Sequence, residues 1–526
     1  MSFSRRLGLA ASLTGAASLC LSQTPVNFKA HTTTSGETPA NIYAVDLNND
    51  GITDIVQDSG QSPPAFTVSL GKGSGTFSPP VTYSLPSKGI VGLNPMVTAD
   101  FNNDGKADLA VCLNSNQIGV YLGKGDGTFE SPKISTIGVP SGWAFGSEGV
   151  AAGDFNGDGK IDLVAWAGTT VSPTSAEKTA IYLMEGDGKG GFSNPRPLMS
   201  GPRYQPGFQL FVGDFDGDGK ADFLATDYEL DSEGNQEPTT VYAAYGNGDF
   251  TFDFTTPYSV NDIAWVGAGD LNSDGVTDFY LLTGGFDGGQ ALGVFYGTRS
   301  RTFESYFKDL SSSFIVGTAS DGTTYPSQLV QADFNGDGHM DLAAVGSNTS
   351  YSTGYVEFLL AGTGPGQFTQ QEIAYPVTYI ESSLPVAGLF AGNLMNPDLA
   401  FNHSPNYGSP PQNRPSYLVA EVNQAHGGWF GPCHYPKAGR GFNVCQAGIV
   451  SGTKATFGAA VNSFGKLRTI QLWVDGKKVQ EQHHTWDNHA YFQWSGTFAA
   501  GKHKAVFLAA DVDHTEQTHD FSFTIK

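Results

Sequence analysis

One nine-residue pattern governs what this chain can fold into: Asp, any residue, Asn or Asp, any residue, Asp, Gly, any two residues, Asp. It occurs six times, opening at residues 46, 100, 154, 214, 270 and 333, so successive copies lie 54 to 63 positions apart. An eroded seventh copy, from Gly392-Asn393 to Asp398, has lost the central Asp-Gly. A second pattern alternates with the first, a Gly-rich turn with Phe six residues after its start: Gly71 to Phe77, Gly123 to Phe129, Gly186 to Phe192, Gly246 to Phe252, Gly297 to Phe303 and Gly362 to Phe368. A weaker version runs from Gln424 to Phe430. Two motifs interleaved at a fixed period mark a chain of repeated supersecondary units that stack or close into a ring.

Each period reads as four short strands. A small apolar run such as Gly149-Val-Ala-Ala-Gly153 precedes the Asp loop, and a run such as Asp162-Leu-Val-Ala-Trp166 or Asp278-Phe-Tyr-Leu-Leu282 follows it. A third run resembles Gly119-Val-Tyr-Leu122, and a fourth follows the Phe. Runs of this length, rich in β-formers and broken by Gly, are strands rather than helices. The 68 Gly residues, without a collagen-like period, agree with many tight turns. The expected fold class is all-β: a seven-bladed β-propeller with four-stranded blades over residues 26–435, followed by an Ig-like β-sandwich over 436–526. Antiparallel parity puts the Asp loop and the Gly-Phe turn at the same end of every blade.

The Asp loops carry the chemistry. Hard divalent cations take many oxygen ligands, and Ca²⁺ takes six to eight. Positions one, three, five and nine of the pattern supply Asp46, Asn48, Asp50 and Asp54; Asp100, Asn102, Asp104 and Asp108; Asp154, Asn156, Asp158 and Asp162. The later copies supply Asp214, Asp216, Asp218 and Asp222; Asp270, Asn272, Asp274 and Asp278; Asp333, Asn335, Asp337 and Asp341. Gly at position six allows the chain to reverse. Position seven would offer its backbone carbonyl, and its side chain varies accordingly: Ile52, Lys106, Lys160, Lys220, Val276, His339. An EF-hand would need Glu at position twelve and flanking helices, whereas the first loop has Gln57 there and strand-like flanks. The bland alternative is six solvated Asx turns without metal. The expectation is about six calcium ions, one per intact loop, which would bring the formal charge of −23 to −11.

The pairing of Asp loop and Gly-x-Gly-x-x-x-Phe turn resembles the FG-GAP or VCBS repeat, which also builds the propeller of integrin α subunits. The resemblance covers about residues 26–435. It implies seven blades, calcium in the loop between the first two strands of a blade, and a role in adhesion or in binding sugars and proteins. The integrin leg domains have no counterpart in this sequence.

The rest of the chain bounds location and partners. Arg5 and Arg6 followed by the apolar run Leu7 to Leu21 read as a secretory leader, residues 1–22, with cleavage expected between Ser18 and Gln23. Leu19 before Cys20 disfavours lipid attachment there. No later apolar run reaches the ~20 residues of a membrane helix, so a secreted monomer without a membrane anchor is expected. With 51 acidic against 28 basic residues, nucleic acid is excluded as a partner. Cys112 sits in an apolar run as a core residue, and Cys433 and Cys445 are candidates for a disulfide in an oxidising compartment. No Gly-x-Ser-x-Gly, His-Glu-x-x-His or phosphate-binding Gly-Lys-Ser/Thr motif occurs. The chain is therefore expected to bind a carbohydrate or an extracellular protein rather than to catalyse. A polysaccharide hydrolase or lyase and a structural envelope component stay open. Long loops at the end opposite the Asp loops, at 167–179, 226–240, 309–325 and 402–416, are where recognition is expected. Trp143, Tyr204, Trp265 and Tyr325, in or near them, are candidate ligand-stacking residues, with capping of the core as the alternative.

Beyond residue 435 the composition changes. Residues 442–526 hold eight basic and seven acidic side chains, so the acidity belongs to the repeats. Runs such as Thr469-Ile-Gln-Leu-Trp-Val474 alternate as strands do, and Asp475-Gly476 is a hairpin signal. Leu-Trp-Val-Asp-Gly and Ala500-Gly-Lys-His503 make this segment resemble bacterial Ig-like modules. Trp473 and Trp494 are expected in its core, and His483, His484, His489, His503, His514 and His519 on its surface.

Overall fold

A computed structural model of the chain describes residues 28–525, apart from 37–41, 59–63, 87–95, 170–177, 230–238, 284–290, 311–316, 319–323, 335–339, 348–353, 376–385, 389–397, 404–415, 424–442, 463–466, 484–488, 512–515 and gaps of one to three residues in other loops. Every regular element among the described residues is a β-strand. None is a helix long and apolar enough to cross a membrane.

The ninth position of the Asp pattern is where a strand begins. Asp54–Asp58, Asp108–Asn114, Asp162–Thr169, Asp222–Glu229, Asp278–Thr283 and Asp341–Ser347 all start on it, and so does Asp398–His403 after the eroded copy. Each is the second strand of a four-stranded antiparallel sheet. In the first sheet, Ile42–Val45, Asp54–Asp58, Ala65–Ser69 and Val81–Ser84 lie side by side in chain order. The next five sheets repeat that order. Second strands are buried along their length, as in Asp54–Asp58, whereas the fourth strand Val81–Ser84 is largely exposed. Covered on both faces, the second strands read as continuous apolar runs rather than as alternating ones.

The seventh sheet is assembled differently. Its order is Phe28–Gly36, Ser416–Asn423, Asp398–His403, Val386–Gly388, with Phe28 opposite Asn423 and Thr34 opposite Tyr417. The outer strand thus comes from the start of the chain. The sequence reading placed it after the weak turn ending at Phe430, which lies outside the described residues. Pairing the first segment with the last repeat gives the seventh sheet its fourth strand and ties the two ends of the ring together.

Neighbouring sheets share apolar cores. Phe66 and Val68 pack with Leu109 and Val111. Cys112 and Val120 pack with Leu163 and Ala165, placing Cys112 in the core as expected. Trp166 and Ile181 meet Phe223 and Ala225, Leu224 and Val241 meet Phe279 and Leu281, and Tyr280 and Leu282 meet Leu342 and Leu359. The first strand of the seventh sheet contacts those of both the sixth and the first, which completes the circuit of a β-propeller. Each fully buried Phe or Leu in these seams contributes about 1.5–3 kcal/mol relative to exposure.

The C-terminal region forms two facing sheets. Asn443–Ser451, Lys454–Asn462 and His489–Thr497 make one; Lys477–His483, Leu467–Val474, Gly501–Asp511 and Glu516–Ile525 make the other. Ala455 and Phe457 from the first pack on Ile470, Leu472, Phe507 and Phe523 from the second. The fourth strand in chain order lies at the edge of the larger sheet, unlike the constant-type Ig arrangement, where it joins the first two. Asp475 and Gly476 turn the hairpin with φ of 49° and 76°, the positive pair that a two-residue type I′ turn requires. Trp494 is half-buried and stacks on Phe457 at 6.1 Å against the core, and Trp473, also half-buried, donates its indole N–H to Gln471. Cys433 lies outside the described residues, and with it the expected disulfide to Cys445.

Candidate cation sites and an adjoining cleft

The Asp loops fold on their own side-chain oxygens. In the second loop, the Asp104 N–H donates to Asp100 Oδ1 and to Asn102 Oδ1, each at 3.0 Å. Gly105 N–H donates to Asp100 Oδ2 at 2.7 Å and Lys106 N–H to Asp104 Oδ1 at 3.0 Å. The loops opening at Asp154, Asp214 and Asp270 repeat all four bonds. The loop at Asp46 shows three of them. Gly219 at position six has φ of 83°, where a side chain would be strained. In the fourth loop, one carboxylate oxygen from each of Asp214, Asp216 and Asp218 lies within 4.8 Å of the other two. Asp333, Asn335 and Asp337 of the sixth loop lie outside the described residues.

Position nine has a task that the spacing does not reveal. Asp162 is fully buried; its Oδ2 accepts the Phe155 N–H at 3.0 Å and its Oδ1 the Gly186 N–H at 2.8 Å. Asp54, Asp108, Asp222, Asp278 and Asp341 each do the same with position two of their loop and the first residue of the following turn. Each oxygen accepts one backbone donor, so this carboxylate is a latch tying the Asp loop to the Gly-Phe turn. The latch also puts both motifs at one end of the sheet, as strand parity predicts. Gly opens the turn because a Cβ on Gly186 would stand 2.0 Å from the Ile161 carbonyl. In the sixth sheet that place belongs to Ala361, paired with Phe368, so the turn is one residue longer than the spacing from Gly362 implies.

Burial sets the electrostatics. It pushes the carboxyls of Asp54 and Asp108 up to about 8 and that of Asp162 to about 7; the loop carboxylates add to the push, and the two N–H donors oppose it. Asp222 and Asp278 are raised well above the usual range for the same reason. At position one, burial lifts Asp100 to about 6 and Asp214 to about 7. Positive charge at the loop mouth relieves this crowding, and the chain supplies some itself. Lys106, Lys160 and Lys220 at position seven fold their Nζ onto Asp104, Asp158 and Asp218 at 2.8–2.9 Å. Position seven of the first and fifth loops is Ile52 and Val276, which bring no charge.

Beside the fifth loop opens a cleft of about 470 Å³. Asn272 and Asp274 of the loop line it, with Tyr296, Thr298 and Glu304 of the fifth sheet and Gln367 of the sixth. The Tyr296 hydroxyl accepts the Gly366 N–H at 3.0 Å, which fixes the ring between the two sheets. The cleft falls within the size range of small-molecule sites and mixes carboxylate, amide, hydroxyl and ring surfaces. It lies at the Asp-loop end, whereas the sequence reading favoured the opposite end, whose long loops fall mostly outside the described residues.

Of the four candidate stacking residues, Trp265 is 4% exposed in the core shared by the fifth and sixth sheets, which takes it out of reach of a ligand. An apolar ring next to Leu329 and Leu342 gains more from burial than from stacking at the surface. Trp143 and Tyr204 each open the first strand of a sheet, opposite Thr169 and Glu229, and Tyr325 pairs with Gly317 in a short ribbon. The cleft itself left no trace in the sequence reading, because its walls come from turns about seventy residues apart.

Residues 100–165 and 170–225 match the model of the FG-GAP-like repeat. No curated protein matches the chain. Among solved structures, a lectin of Burkholderia pseudomallei is similar at 16% identity over 76% of this chain and 99% of that one, with a TM-score of 0.43. An α-L-arabinofuranosidase of Fusarium graminearum is similar at 10% identity over 67% and 97%, with a TM-score of 0.36. An exo-β-1,3-galactanase of Phanerochaete chrysosporium is similar at 10% identity over 95% and 100%, with a TM-score of 0.24. Overlaps this loose say nothing of a shared ligand. The chain carries FG-GAP-like repeats, and they build the four-stranded sheets of a β-propeller.

Proposed function

We propose that this propeller of FG-GAP-like repeats is an exported recognition module, stabilised by calcium at its Asp loops, that binds carbohydrate in the cleft beside the fifth loop. The observation that carries the cation reading is the donor set. Positions one, three and five present a side-chain oxygen in every intact loop. That chemistry fits a hard cation. Asp46, Asn48 and Asp50 and their counterparts would hold the ion, together with the carbonyl of position seven. When bound, it would neutralise the carboxylates that crowd each loop.

What supports a sugar as ligand is the lining of the cleft. Amide and carboxylate groups at Asn272, Asp274, Glu304 and Gln367 can each meet a hydroxyl, and Tyr296 offers ring surface. Polyhydroxylated ligands need many weak polar partners rather than one strong charge. Binding to a glycan array with and without chelator tests this reading. Asp274→Ala and Tyr296→Ala should each weaken binding about tenfold or more, the loss expected for one or two polar contacts. Unchanged binding in both variants would discard the cleft. Two carboxyls in one cleft, Asp274 and Glu304, are also the minimum equipment of glycoside hydrolysis. Release of reducing ends from a bound polysaccharide would replace the binding reading with that one.

A further inference from the structure

The fourth loop differs from the other five in sequence and in company. Its third position is Asp216 where every other intact copy has Asn, so it holds four carboxylates instead of three. Facing it is Arg301 from the Gly-Phe turn of the fifth sheet. Arg301 Nε donates to Asp216 Oδ2 at 2.7 Å, Nη1 to Asp253 Oδ2 at 2.6 Å, and Nη2 lies 3.9 Å from Asp218 Oδ2. The guanidinium also stands 5.3 Å from the centre of the Tyr245 ring. Asp216 is buried and Arg301 is about one-third exposed, so the pair is screened less than a surface ion pair.

The backbone at Arg301 underlines the point. Two residues before the Phe, the other turns have Gly75, Gly127, Gly190 and Gly366, all at positive φ, and Phe250 at 66°. Arg301 adopts 59°, a conformation that its side chain disfavours. A residue held against its backbone preference needs compensating contacts, and the two carboxylates and the ring provide them.

We propose that Arg301 is the built-in cation of the fourth loop. It neutralises the carboxylate that the other loops lack, spans the seam between the fourth and fifth sheets, and leaves this loop a weaker binder of divalent ions than the first and fifth. Lys220 adds a second positive charge at 2.9 Å from Asp218. The first and fifth loops, with aliphatic residues at position seven, carry no such built-in charge and bind divalent ions more tightly. The inference rests on the calcium reading of the loops, and the test separates the two.

Calcium titration of the full chain by calorimetry, with thermal unfolding in excess chelator, would compare the parent with Arg301→Gly and Asp274→Asn. Glycine suits the left-handed backbone, so Arg301→Gly removes the cation without adding strain. It should convert one weak ion into one bound at least tenfold more tightly, and should lower the melting temperature in chelator. Adding Asp216→Asn to it should restore that melting temperature. Asp274→Asn should lose one tightly bound ion. If Asp274→Asn loses an ion but Arg301→Gly changes neither calcium affinity nor the melting temperature, the role of Arg301 is overturned. If no variant differs from the parent in bound calcium, the cation reading of the loops falls and this proposal with it.

Discussion

The propeller and the C-terminal sandwich are both stacks of antiparallel strands, yet they are held by different means. In the first six sheets of the propeller one end is fastened by a wholly buried carboxylate with two backbone donors, as at Asp162. Three or four acidic groups crowd every intact loop. In the sandwich the core is a single apolar cluster around Phe457, Leu472 and Phe507, and its turn carboxylate, Asp475, is exposed. The eight basic and seven acidic residues of 442–526 nearly cancel, so the net charge of −23 belongs to the ring. Hydrogen-bonded strands alone therefore do not decide how a β-region responds to its solvent. What decides it is whether the strand ends are tied by charge or by apolar contact.

The broadest way to break this contrast is to withdraw calcium. With the affinity usual for extracellular modules, each filled loop contributes about 1.5–3 kcal/mol at about 10 mM ion. Calorimetry in chelator should show the propeller transition falling by many degrees while the sandwich transition stays in place. A parallel fall of both would show that the two regions share one source of stability. Next in size, Asp162→Ala leaves two buried N–H groups without an acceptor and should cost the propeller about 4 kcal/mol, measured by urea unfolding. Its counterpart is Leu472→Ala, a cavity in the sandwich core, with an expected loss of about 3 kcal/mol that is the same with and without calcium.

The smallest effect is a pH response of the sandwich at His503. The His503 Nδ1 pairs with Asp475 at 2.7 Å and Nε2 with the Ala499 carbonyl at 2.8 Å, and its pKa is raised chiefly by the bond to Asp475. A group whose folded pKa is raised favours the folded state below its unfolded pKa, and that contribution fades as pH rises through the folded value. The sandwich should thus lose a little stability from pH 6 upward, and His503→Asn should flatten that slope. An NMR titration giving His503 an ordinary pKa would remove the basis for this expectation.

Much of the architecture is legible in the sequence because the repeat does two jobs at once. The Asp that ends each pattern also starts a strand, so finding the motif locates the second strand of all seven sheets, including the one after the eroded copy. The chemistry is less legible. Spacing shows that a carboxylate recurs, but not that it ties its loop to the following turn; the hydrogen bonds of Asp54 and its counterparts show that. The eroded copy points the same way, since it keeps Asp398 while losing the central Asp-Gly. Arg301 was illegible for another reason, since its partner Asp216 is 85 residues away and no local pattern joins them. Phe28–Gly36 escaped notice as the closing strand because it carries neither motif.

That closing strand sets a timetable for biogenesis. Phe28 must find Asn423, and synthesis at 5–20 residues per second separates their appearance by about 20–80 s. Until then the earliest segment has no mate. Closure of this ring therefore waits for the end of the last repeat, and whatever shields that first segment in the interval decides the yield of closed molecules.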